Sequence, residues 1–136
     1  MNYLKRLEDE VSAWPNVAVH PHRFGSKEFR FGKAEIGHLH KDGTVDIPFP
    51  RAVRDALLEE GQAEEHRWVP NSGWTTFKVR READIGHAIG LMRISYLRYA
   101  LKAASLPHQF LEQESEALHL SPRIMALLEI FAPWPA

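Results

Sequence analysis

The run AEIGHLHKDGTVDIPF, residues 34–49, carries the reading of this chain. Asp42-Gly43 is a favoured two-residue type I′ turn, and the residues on both sides alternate between apolar and polar as paired strands do. The pattern predicts a hairpin in which Lys41 opposes Thr44, His40 opposes Val45, His38 opposes Ile47 and Ile36 opposes Phe49. One face then carries Ile36, His38, His40, Val45, Ile47 and Phe49. The other carries Glu35, Gly37, Leu39, Asp46 and Pro48. A bulged loop of another length would shift this register by one residue and re-sort the faces.

Outward from the hairpin, Val17 to His20 and Glu28 to Phe31 read as short strands, with Phe29 and Phe31 on one side and Glu28 and Arg30 on the other. Ahead of them Tyr3, Leu4, Leu7 and Val11 stand at helical spacing until Pro15. Downstream, Pro50 opens a short helix through Val53, Leu57 and Leu58 that Gly61 closes. Glu65 to Val69 and Trp74 to Val79 then read as a second hairpin around Pro70-Asn71-Ser72-Gly73. From Ala83 to Leu101 no proline interrupts the steps Ile85, Ile89, Met92, Tyr96 and Tyr99, which makes this the longest helix and the main cover of the sheet. Ser121-Pro122 caps and opens a last helix with Ile124, Leu127, Leu128 and Phe131 apolar. So apolar a helix needs a partner surface, in its own chain or in a second copy that would make a homodimer. The sum is a single compact α+β domain: an antiparallel sheet of about five or six strands with flanking helices.

The chain has 136 residues, enough for one domain with a core. Its 17 Lys+Arg against 18 Asp+Glu leave a net charge of −1, which argues against nucleic acid or anionic lipid as a partner. With no cysteine, thiolate nucleophiles, Cys-ligated metals and disulfides are excluded, which suits a cytoplasmic protein. No apolar run reaches the length of a membrane span. Walker, dinucleotide-binding, G-x-S-x-G and H-E-x-x-H motifs are absent.

The chemistry gathers on histidine, of which there are eight. On a strand, His38 and His40 at i and i+2 project from one face. That spacing suits general acid–base work near neutral pH, and it also suits chelation of a divalent metal. Two buried-edge rings each satisfied by one hydrogen bond is the plainer reading. Glu35 precedes the pair, Asp46 lies across the hairpin, and His66 is the third imidazole of a His38, His40, His66 metal set. Arg54, at the start of the helix after the hairpin, can stabilise an anion. Trp74 and Phe77, with Trp68, Phe24, Phe29 and Phe31, form an aromatic set able to line a pocket for a flat ligand or to pack in the core. His20-Pro21-His22 reads as a solvated loop.

AEIGHLH at 34–40, followed by DIPFPRAVRD at 46–55, GWTTF at 73–77 and Ser95-Tyr96, is similar to the small luciferase-domain family, which groups the fungal luciferases with short bacterial proteins. The resemblance covers roughly Val17 to Tyr99 and implies a luciferase-like α+β domain over 1–104 with a helical extension over 105–136. Fungal members oxidise a hydroxylated pyrone, 3-hydroxyhispidin, with molecular oxygen and no organic cofactor. This chain resembles the bacterial group: it lacks the amino-terminal membrane segment, and light emission is not carried over. The resemblance marks Glu35, His38, His40 and Trp74 as motif residues. Three readings follow. One is an oxygenase without organic cofactor, acting on a small hydroxylated aromatic or pyrone with His38 or His40 as base. The others are a non-catalytic small-ligand or interaction module and a His-bound divalent metal protein.

Overall fold

In the computed structural model, which describes residues 2–66 and 68–135, apolar side chains at helical and strand periods close a core between one antiparallel sheet and its covering helices. The helix α1 (Asn2–Ser12) turns Leu7 and Val11 fully inward. Then come β1 (Val17–Pro21), β2 (Lys27–Phe31), β3 (Ala34–Leu39) and β4 (Thr44–Pro48). After α2 (Arg51–Glu59) the chain adds β5 (Glu64–Glu65) and β6 (Trp74–Lys78). The six strands stand in the order β1-β2-β3-β4-β6-β5, every pair antiparallel. This is the α+β architecture expected from the sequence. No helix among the described residues is long and apolar enough to cross a membrane.

The long helix α3 (Ile85–Ala103) lies on the sheet beside α1, with Leu91, Met92 and Leu97 buried. Its polar residues fasten it to the neighbouring turns: Ser95 Oγ donates to the Pro48 carbonyl at 3.0 Å and Tyr96 OH to the Pro15 carbonyl at 3.0 Å. The helix α4 (Pro107–Leu118) lies in the expected helical extension but has no marked apolar period, its residues being mostly polar and Leu111 its one buried side chain. The helix α5 (Pro122–Glu129) has the expected cap, Ser121 Oγ accepting from the Ile124 N–H at 3.2 Å. Its partner surface lies in its own chain, against α2 and α4.

Three local expectations need correction. Pro50 is the N-cap of α2, one position earlier than the first helical residue. The expected strand 65–69 is only Glu64–Glu65, with Arg67 outside the described residues. The hairpin register is the third. His38 pairs with Asp46 and Leu39 with Val45, while the His40 N–H donates to the Thr44 carbonyl at 2.9 Å and the Gly43 N–H to the His40 carbonyl at 3.1 Å. The loop is therefore Lys41-Asp42-Gly43, one residue longer than the type I′ turn. Gly43 takes φ +92, and a Cβ there would come within 2.4 Å of the Val79 carbonyl, so tertiary contact with the end of β6 decides the loop. The shift places Leu39, Val45 and Ile47 in the core and turns the histidines away from it.

A β-bulge in β3 makes a second change. Phe29 opposes Gly37 but Arg30 opposes Glu35, so Ile36 is an extra residue in the ladder. Ile36 is fully buried, and Glu35 swings onto the face of His38. The neighbouring Gly37 lies under α3, where a Cβ would stand 2.5 Å from Met92 Sδ, and its φ is +155. Gly37→Ala is expected to cost about 1–3 kcal/mol through overpacking, read as a lower urea midpoint. An unchanged midpoint would show that the Met92 side chain yields without penalty.

Candidate functional site

Because directly paired residues of adjacent strands share a face, the register builds one transverse row across all six strands. It runs His20, Glu28, His38, Asp46, Thr76, Glu64. Every member is polar. The row lies on the face opposite α1 and α3, which an antiparallel sheet can leave open to solvent or ligand.

Asp46 is its centre. The residue is 6% exposed, and its carboxylate gathers the surrounding donors. Thr76 Oγ1 donates to Oδ1 at 2.7 Å, and His40 Nε2 meets Oδ2 at 2.7 Å. His38 Nε2 lies 3.2 Å from Oδ2, and His66 Nε2 lies 3.5 Å from Oδ1. Burial alone would raise its pKa, but the hydrogen bonds from His38, Thr76 and His40 prevail and hold the carboxyl well below the usual range. The expected register had put Asp46 on the opposite face from the two histidines.

His38 is held from both ends, with Nδ1 2.6 Å from Glu35 Oε2 and Nε2 on Asp46. Burial pulls its pKa down, yet the hydrogen bonds and charges of Asp46 and Glu35 outweigh it and raise it to about 9. Around this ring stand His22, parallel at 5.5 Å, His40 edge-on at 4.9 Å and Trp74 at 5.4 Å. The sequence pattern predicts a solvated loop at His22. It sits just past β1, with Nε2 3.6 Å from Glu28 Oε1, and only the pairing of β1 with β2 brings it here.

The structure therefore brings Glu35, His38, His40, Asp46, His66 and Trp74 into one neighbourhood, the ring centroids of His66 and Trp74 being 6.0 Å apart. It separates two others. Phe77 faces the core side of β6 and packs on His87 at 4.7 Å, so it lines no part of this site. Arg54, itself in α2, is buried with its guanidinium on Asp55 at 2.7 Å and Glu65 at 3.0 Å, where it ties the helix to β5 and is neutralised by its own chain. Anion stabilisation by Arg54 is not available in this arrangement.

Beside the cluster is a hollow of about 250 Å³ whose lining includes His40, Asp46, His66, Trp68, Thr76 and Lys78. That volume is below the range typical of drug-sized ligands and suits a small one. A larger hollow of about 410 Å³ beside Leu106, His108 and Trp134 is mainly apolar and holds no comparable set of titratable groups. Ligand atoms of His38, His40 and Asp46 all lie within 4.8 Å of one another, so this group could hold a metal.

The residues of the cluster from Glu35 to Trp74 lie within the stretch that matches a known family. Residues 33–95, which contain β3, β4, β6 and the first half of α3, match the family model of the luciferase domain. No curated protein and no solved structure matches the chain.

Proposed function

We propose, from the match of residues 33–95 to the luciferase-domain model, that the polar row is the active site of an oxygenase. It needs no organic cofactor and acts on a small hydroxylated aromatic or pyrone-type compound. The observation that carries this reading is the convergence of three imidazoles on the Asp46 carboxylate at the wall of a small hollow. Such a substrate bears an acidic, enolisable hydroxyl. The imidazole–carboxylate cluster draws off its proton, and His40, with its side chain 38% exposed, is the more open of the two rings that line the hollow. Lys78 brings positive charge to the same wall, and Trp68 offers an aromatic face for a flat ring.

The anion so formed is electron-rich enough to reduce oxygen directly. Its carbon–oxygen bond to O2 forms with two electrons from the ring, the ring carbon is oxidised and O2 falls to the peroxide level. The proton held by the cluster returns to the peroxide oxygen, so the product is the hydroperoxide, the sum of substrate and O2.

The test is oxygen uptake by untagged protein against a panel of hydroxypyrones, catechols and other phenols, compared with the variant carrying His38→Ala and His40→Ala together. Saturable uptake that disappears in the double variant supports the assignment. Uptake unchanged by the double substitution, or saturable binding of panel members with no uptake, would contradict it.

A further inference from the structure

Asp46 divides its two oxygens between different kinds of neighbour. Oδ1 accepts from Thr76 and faces His66, whereas Oδ2 faces the Nε2 atoms of both His38 and His40. Hydrogen bonding sets the protons of these rings. The Trp68 backbone N–H donates to His66 Nδ1 at 3.1 Å. A neutral His66 therefore keeps its proton on Nε2, aimed at Oδ1, and has no lone pair there for a cation. His38 is the reverse. Glu35 accepts from its Nδ1 at 2.6 Å, which leaves the Nε2 lone pair of the neutral ring against an anionic oxygen at 3.2 Å. Two electron-rich atoms at that separation share one positive charge, which either a proton on Nε2 or a metal ion supplies.

We propose that His38 Nε2, His40 Nε2 and Asp46 Oδ2 bind a divalent first-row transition-metal ion, with Glu35 and Thr76 as its supporting shell and His66 outside the ligand set. Nitrogen and oxygen ligands about 2.0–2.2 Å from such an ion are themselves roughly 3 Å apart, and the Nε2–Oδ2 separations of 3.2 and 2.7 Å approach that spacing. The carboxylate behind His38 is the partner that metal-bound histidines ordinarily have. Two imidazoles and one carboxylate leave coordination positions open, and His40 and Asp46 place the hollow next to them. An ion there would take the Nε2 and Oδ2 atoms that accept the substrate proton in the ion-free cluster, so with the ion bound that proton would pass to solvent and the ion would stabilise the oxyanion. This deepens the oxygenase reading and rests on it for the substrate, while the binding itself is measured without one.

Untagged, chelator-treated protein titrated with Co2+ and followed by its visible ligand-field absorption is expected to saturate near one ion per chain, with Zn2+ displacing it. His40→Ala should weaken binding at least ~100-fold, Glu35→Gln about 10–100-fold, and His66→Gln no more than about tenfold. His40 stands on the open face, and an unchanged urea midpoint shows that its variant remains folded. No saturable Co2+ binding would overturn the site, as would a His66→Gln loss equal to that of His40→Ala. Saturable Co2+ binding with no oxygen uptake on the panel supports the metal site and overturns the oxygenase reading. Oxygen uptake without saturable Co2+ binding does the reverse.

Discussion

Asp46→Asn is expected to lower the rate of oxygen uptake by about 10²–10⁴-fold, the range that general acid–base catalysis and the orientation of its imidazole contribute. The substitution keeps the size of the side chain and removes its charge. An asparagine at 46 can still accept from Thr76 Oγ1, now 2.7 Å from Asp46 Oδ1. It cannot compensate a positive charge gathered on His40, and its amide group would present hydrogens to rings that now meet a carboxylate oxygen at 2.7 and 3.2 Å. Initial-rate oxygen-electrode measurements on folded variant protein decide the matter. A loss of less than about threefold would remove Asp46 from the machinery.

Ile36→Ala is expected to cost about 2–5 kcal/mol of stability, as truncation of a fully buried aliphatic side chain does when its site cannot collapse. The effect reaches further than the core. Ile36 is the extra residue of the β3 bulge, and its burial keeps the ladder displaced so that Glu35 meets His38 at 2.6 Å. The variant should show a lower urea midpoint and, where it still folds, weaker oxygen uptake from a less firmly held His38. A loss below about 1 kcal/mol would mean that packing at Ile36 does not hold the bulge.

These two residues also mark what local sequence patterns reveal and what they do not. The side-by-side projection of His38 and His40 is legible, because i and i+2 on a strand share a face whichever register the hairpin adopts. The place of Asp46 is not. Asp42-Gly43 has the composition of a two-residue turn, and the three-residue loop wins because Gly43 lies against the Val79 carbonyl, a contact 36 positions along the chain. Glu35 was a candidate by proximity in sequence, yet period-2 reasoning sent it to the opposite face, since a bulge leaves no mark in the pattern of apolar residues.

His66 was legible as a third imidazole but its proton was not, for that depends on the backbone N–H of Trp68. Arg54 is placed by a contact that local sequence does not show: the pairing of β5 with β6 sets Glu65 beside it, so its charge is met within the chain. Long, apolar periods such as α3 survive translation into structure; α4, with one buried leucine among polar residues, is carried by its packing against α3 and α5.

The site depends on a single carboxylate gathering three rings. Nitrogen NMR of the histidine side chains in chelator-treated protein and in its Asp46→Asn variant tests that most directly. The ring signals of His38, His40 and His66 are predicted to move together on the substitution, while His87, whose Nε2 meets the Gln62 carbonyl at 2.7 Å, stays in place. Signals of the three rings that ignore the substitution, or that move no more than that of His87, would contradict it.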